Sequence, residues 1–383
     1  MSDPFETAER RSLRETVRRF VRHEILPLQD QWEREGELPR WLHAAAAKMG
    51  LIGLSYPTSV GGGGGDAIDA LILGEEFHYA GGASGVFASL FTSGISLPHM
   101  AAAGDAWQIE RWVTPTIAGA KIGALAITEP DGGSDVANIR TTAKRDGSDY
   151  VVSGAKTYIT SGARADFVVT AVRTGDPGAH GISLLVVEKG MPGFTVSRKL
   201  EKMGWLSSDT AELSYADVRV PASHLIGEEN TGFAQIAQNF VSERIGLAVQ
   251  SYACAQRCLD VTVEWCRLRE TFGRPLISRQ PVQNTLTEMA RRIEVARVYT
   301  RSVAARAAAG ETDLVREACF AKNTAVEAGT WVVDQAVQLH GGMGYMRESE
   351  VERQYRDMRI MGIGGGTTEI LTGLAAKTLG YVS

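Results

Sequence analysis

The feature that most constrains this chain is a double change of hydrophobic period, from about 3.6 residues to about 2 near Lys121 and back again near Thr231. Before the first change, Leu13, Val17, Phe20, Val21 and Ile25 fall on one face of an amphipathic helix. Further helical pieces are expected over 41–50, 66–79 and 87–103, separated by Pro and Gly. Between the changes, residues 124–128, 140–143, 150–153, 156–160, 167–172, 182–187 and 212–215 form short runs rich in β-branched and aromatic residues, bounded by turn signals such as Asp146-Gly147. No helix-length insert separates them, so an antiparallel sandwich or barrel is expected rather than a parallel sheet. After the second change come three long apolar faces, led by Phe233-Ile236-Phe240-Leu247, Val282-Leu286-Met289-Ile293 and Ala318-Ala321-Ala325-Ala328, and a last helix after Thr367. The expected fold class is α+β, mostly α: an N-terminal helical domain over 1–121, a middle antiparallel β domain over 122–231, and a C-terminal four-helix bundle over 232–383.

Composition narrows the partners. A net charge of -5 without a Lys/Arg block argues against nucleic acid or anionic membrane. There is no run of about 18 apolar residues, and the start Met1-Ser2-Asp3-Pro4-Phe5-Glu6 has no signal-peptide pattern, so a cytoplasmic protein is expected. Cys254, Cys258, Cys266 and Cys319 lack metal-ligand spacing and nearby histidines; they read as buried thiols, and no metal is expected. Gly61 to Gly65 lacks the Gly-Lys-Ser/Thr ending of a P-loop and reads as a turn before a helix capped near Asp66.

Three stretches carry chemistry. Glu243 interrupts the apolar face of the first bundle helix; a carboxylate there is either a structural ion pair or a desolvated base. Arg244 is adjacent but about 100° round the helix, so it is not the automatic partner. The run Gly362-Ile363-Gly364-Gly365-Gly366-Thr367-Thr368-Glu369 opens a helix and reads as an anion cradle. Finally, Thr128-Glu129-Pro130-Asp131-Gly132-Gly133-Ser134-Asp135 and Gly154-Ala155-Lys156-Thr157-Tyr158-Ile159-Thr160 put strand ends and Gly/Ser loops on one edge of the β domain, suited to a planar, hydrogen-bonding cofactor.

These runs, with Arg269-Glu270-Thr271-Phe272-Gly273, Gln338-Leu339-His340-Gly341-Gly342-Met343-Gly344 and Tyr355-Arg356-Asp357, occur in the order found in acyl-CoA dehydrogenases, FAD flavoproteins that the chain resembles over nearly its whole length. The resemblance implies that Leu125, Ile127, Thr128, Gly133 and Ser134 face the flavin ring and that Tyr158, Ile159 and Thr160 cover its other side. It implies that Arg269, Thr271, Phe272, Gln280, Gln338, Gly341 and Gly342 reach the FAD of a neighbouring subunit, hence a homotetramer, with Thr367 and Glu369 beside the FAD diphosphate. Many family members carry the catalytic Glu where this chain has Gly365. A subgroup including isovaleryl-CoA and long-chain acyl-CoA dehydrogenases instead uses a Glu-Arg pair on the bundle helix, matched here by Glu243-Arg244.

Glu243 is therefore expected to be the base and Gly365 to offer its N–H to the thioester oxygen, with Ser134, Phe240, Arg244, Gly365 and Gly366 around the acyl-CoA. The implied reaction is α,β-dehydrogenation of a branched or medium-to-long acyl-CoA, electrons passing to electron-transfer flavoprotein. The alternatives are an oxygen-using oxidase of the same fold or a catalytically silent FAD or acyl-CoA binding protein. Neither His340, Glu129 nor Asp135 is expected to be a second base.

Overall fold

A computed structural model describes residues 3–382, so Met1, Ser2 and Ser383 of the expected outer domains lie outside the described residues. The first third is helical: α1 (Ala8–Phe20), α2 (Gln29–Glu35), α3 (Arg40–Lys48), α4 (Ala67–Tyr79), α5 (Ser84–Leu90), α6 (Ser93–Ser96), α7 (Pro98–Ala103), α8 (Ala106–Gln108) and α9 (Thr114–Ile117). Asp66 caps α4 through a capping box with Asp69, and the glycines before it form a turn whose N–H groups bond carbonyls at Gly53, Leu54, Tyr56 and Pro57. The single helix expected over 87–103 is instead three short pieces; the last break falls at Pro98, which cannot donate to a preceding turn and starts a new helix.

The middle of the chain supplies β1 (Gly123–Ala126), β2 (Thr142–Asp146), β3 (Asp149–Thr160), β4 (Phe167–Arg173), β5 (Ile182–Glu188), β6 (Phe194–Lys199) and β7 (Thr210–Pro221). They form one sheet in the order β1-β4-β2-β3-β7-β6, with β5 on β4. The hairpin pairs are antiparallel as expected, but β1 runs parallel to β4, and β2 touches β4 in parallel register at Thr142 and Arg173. The β2–β3 hairpin lies between β1 and β4 in sequence and acts as the crossover that a parallel pair requires. The pattern also misses β6, a solvent-exposed edge strand whose apolar residues are only Phe194 and Val196 and in which Phe194 alone is partly buried.

The last third contains α10 (Gly232–Leu268), the short strands β8 (Glu270–Thr271) and β9 (Arg274–Pro275), then α11 (Gln280–Ala308), α12 (Val315–His340), α13 (Glu350–Met358) and α14 (Thr368–Thr378). At 37 residues, α10 is about 55 Å long. It threads three apolar cores: Ile236 packs with the β domain, Ile245 to Ala253 with α4 and α11, and Cys254 to Cys266 with α12 and α13. All four cysteines are buried free thiols. The helical domain is tied to the bundle by Glu75, fully buried and accepting from Arg301 and Tyr252. Asp357 of α13 accepts the Trp205 N–H at 2.6 Å, pinning a β-domain loop to the bundle. Among the described residues no helix is long and apolar enough to cross a membrane.

Candidate active site

Glu243 sits one-third of the way along α10, where the three domains meet. It shares a cleft with Leu125 from β1, Gly94, Ile95 and His99 from the helical domain, and Ile236, Asn239 and Phe240 from its own helix. The free space there is about 10 Å³, room for one water. Among the described residues the Glu243 carboxylate has neither a salt-bridge partner nor a hydrogen-bond donor. Burial raises its pKa above the ordinary carboxylate value, only partly opposed by the charges of Arg244 and Lys322.

The ion-pair reading of Glu243 is thus not what the structure contains. Arg244 is buried, lies over the Phe240 ring at 5.1 Å from its centroid, and leaves its Nε without a partner among the described residues.

Opposite Glu243 is the glycine run. Gly365 and Gly366 have φ values of 65° and 95°, left-handed geometry that favours residues without a Cβ. A Cβ built on Gly365 would lie 3.4 Å from Glu243 Oε1. The two base positions of the resemblance therefore face each other across one gap, although 122 residues separate them in sequence. Thr367 caps α14 by accepting the Ile370 N–H at 3.3 Å, and Glu369 is exposed in the first turn.

The β-domain edge is built by a buried ion pair that the sequence reading left unassigned. Lys156, with no exposure, donates to Glu129 Oε1 at 2.9 Å and to the Ile127 carbonyl at 2.8 Å, while the Thr157 N–H reaches the Thr128 carbonyl at 2.9 Å. Burial pushes the Lys156 ammonium down to about 8. Burial acts upward on Glu129, but Lys156 and the N–H groups of Arg140 and Thr141 win and hold it low. The two motifs are thus one unit. The β3–β7 register slips between Lys156 and Ile159, a bulge that turns Tyr158 outward at φ 60° and 69% exposure. Ile159, by contrast, buries its side chain in the β core, so only its backbone faces the edge. Gly133 and Ser134 are exposed, and Leu125, Ile127, Thr128 and Thr160 are partly so.

The remaining residues gather at the far end of α10. Arg279 bonds the hydroxyl of Thr271 at 3.2 Å and lies over Phe272; Trp265 Nε1 reaches the Leu339 carbonyl and its ring stacks on His340. Arg269, Phe272, Gln280, Gln338, Gly341 and Gly342 are all exposed there, Phe272 at 97%. Arg269 lies 26 residues beyond Glu243, about 39 Å along the helix axis. This group and Glu243 cannot close on one another within one chain.

Family models for the N-terminal, middle and C-terminal domains of acyl-CoA dehydrogenases match residues 7–120, 124–218 and 230–380. The chain belongs to the acyl-CoA dehydrogenase family. It is 39% identical to the long-chain specific acyl-CoA dehydrogenase of Rattus norvegicus mitochondria over 97% of this chain and 87% of the relative. A crystal structure of a putative acyl-CoA dehydrogenase from Mycobacterium smegmatis shares 68% identity and a TM-score of 0.99 over the whole of both chains. A glutaryl-CoA dehydrogenase from the same organism, solved with FADH2, is 25% identical with a TM-score of 0.91, covering 100% of this chain and 97% of its own.

As an acyl-CoA dehydrogenase the protein is an FAD-dependent oxidoreductase acting on acyl-CoA. The residues present fit such a group: an outward aromatic ring at Tyr158, exposed Gly133 and Ser134, and, facing Glu243, a glycine run in which the N–H groups of Gly365 and Gly366 meet no acceptor among the described residues.

Proposed function

We infer that this acyl-CoA dehydrogenase converts an acyl-CoA to its trans-2-enoyl-CoA with Glu243 as the base. The observation that carries this is the partly buried Glu243 carboxylate, unpaired among the described residues and facing Gly365 across the cleft, with its pKa raised by burial. Glu243 removes the α-proton, and the electron pair left on the α-carbon forms the new double bond as the β-hydrogen departs with its pair. FAD, when bound, supplies the acceptor for that hydride.

The α-proton is weakly acidic, so negative charge building on the thioester oxygen needs donors. The Gly365 N–H is the donor proposed here. Leu125, Ile127, Thr128, Gly133 and Ser134 would hold the flavin ring, with Tyr158, Ile159 and Thr160 beside it and Thr367 and Glu369 near its diphosphate. Ser134, Phe240, Arg244 and Gly366 would complete the walls around the acyl-CoA. The exposed set at Arg269, Thr271, Phe272, Gln280, Gln338, Gly341 and Gly342 would serve the FAD of a neighbouring copy in a homotetramer; its distance from Glu243 supports that reading. Electron-transfer flavoprotein is the proposed acceptor, a branched or medium-to-long acyl-CoA the proposed substrate, and the cytoplasm the proposed location. Because the free space beside Glu243 is small, a long acyl group would need Ile95, His99 or Phe240 to move.

Anaerobic bleaching of the bound flavin by a panel of straight and branched acyl-CoAs tests the reaction. Glu243→Gln should slow it by about 10²–10⁴. Bleaching at an unchanged rate would refute Glu243 as base, and bleaching by no acyl-CoA at all would refute the dehydrogenase reading.

A further inference from the structure

Lys322 is a cation that neither the reaction as described nor the family's motifs employ. It lies on α12, is 1% exposed, and has no salt-bridge partner among the described residues. Its ammonium donates to the carbonyls of Gly364 and Gly366, each at 2.5 Å. These two carbonyls flank Gly365.

A trans peptide is planar, so its N–H points opposite to its C=O. With the Gly364 carbonyl held on Lys322, the N–H of the same peptide, that of Gly365, is turned to the opposite side. Two consecutive glycines at positive φ would otherwise leave this peptide free to flip. A charged donor on the carbonyl also withdraws electron density through the amide and makes its N–H a stronger donor. On the Glu243 side, Lys322 contributes positive charge that partly offsets the burial of the carboxylate.

We propose that Lys322 is a positioning residue for the dehydrogenation: its ammonium clamps the carbonyls either side of Gly365, aiming and polarising the Gly365 N–H that receives the thioester oxygen. A lysine that only satisfied two buried carbonyls would leave the thioester oxygen unaffected. The inference rests on the proposed roles of Gly365 and Glu243, and the two can be separated.

The test uses FAD-loaded enzyme and a 3-arylacryloyl-CoA, an unreactive thioester whose absorption moves to the red when its carbonyl is polarised. Wild type should shift the probe. Lys322→Met should bind it within about fivefold of wild type yet lose most of the red shift. Flavin reduction at saturating acyl-CoA should fall about 10²-fold, and the acid limb of its pH profile should move to higher pH as Glu243 loses a nearby cation. Lys322→Arg should recover part of each.

A Lys322→Met holoenzyme with a wild-type red shift and reduction rate overturns the proposal. Glu243→Gln is the control. If it retains the red shift and loses reduction, both readings stand. If it retains both, the base assignment fails while the Lys322 result is still read from the probe. Should Lys322→Met not hold FAD, Lys322→Gln takes its place: loss of most of the red shift is expected, and a wild-type red shift and reduction rate overturn the proposal.

Discussion

Moving the base from position 243 to position 365 tests whether the two sites are interchangeable. In Glu243→Gly/Gly365→Glu, the new Cβ would start 3.4 Å from the present position of Glu243 Oε1, so the transplanted carboxylate falls in the space the old one leaves. Two costs can be worked from the structure. A side chain at φ 65° is left-handed, about 1–2 kcal/mol. The same Cβ would come within 2.4 Å of Leu247 Cδ1, so Leu247 must shift, about 1–3 kcal/mol more. The sum, about 2–5 kcal/mol, is a large part of the 5–15 kcal/mol typical of a folded domain. A clearly lowered melting temperature is therefore expected for the double variant and for Gly365→Glu alone, but not for Glu243→Gly to the same degree. In anaerobic flavin reduction, Glu243→Gly should lose about 10²–10⁴ of rate and the double variant should recover at least about tenfold, with an altered acyl-chain preference. A folded, FAD-loaded double variant no faster than Glu243→Gly would refute the geometric argument.

Other expectations follow from the same contacts. Lys156→Met leaves Glu129 buried without its cation and should lower stability by about 3–5 kcal/mol, with FAD lost on gel filtration; full FAD retention at an unchanged melting temperature would contradict the role given to this pair. Phe272→Asp, at a side chain 97% exposed in the single chain, should leave the secondary structure intact but reduce the sedimentation coefficient and the FAD content; an unchanged oligomer would count against the far-end interface. Glu243 should also leave a mark on stability against pH. Its folded pKa is raised, so both states hold the proton at low pH; as pH climbs past the ordinary carboxylate value and through the folded one, the unfolded chain releases its proton more readily and stability falls. Glu243→Gln should remove that fall, so its melting temperature should drop less than the wild type's as pH rises above the ordinary carboxylate range, and parallel curves would contradict a raised pKa.

The order of domains was legible because hydrophobic period is a local signal: one face of a helix or one side of a strand is written in residues three or two apart. Asp66 was legible as a cap for the same reason, its partners being Ile68 and Asp69. The parallel β1–β4 pair was not, since register between strands some 40 residues apart leaves no trace in either strand. Nor was β6, an edge strand whose apolar alternation stops after Phe194 and Val196 and gives way to Arg198 and Lys199. The site shows the same division. Glu243 stood out as a carboxylate on an apolar face, but Lys322 did not, because a lysine in an alanine-rich helix reads as solvated until the glycine loop 42 residues later is seen to cover it.

By itself, then, the sequence determined the α, β, α order, the family resemblance and the candidate carboxylate. Only the tertiary structure decided that Glu243 has no ion-pair partner among the described residues, that it faces Gly365, that Lys156 joins the two β-domain motifs through Glu129, and that Arg269 and its neighbours stand too far from Glu243 to act with it in one chain. The physical reason is that periodicity is set by neighbours along the chain, whereas desolvation, pairing and distance depend on what the other elements bring to the same place.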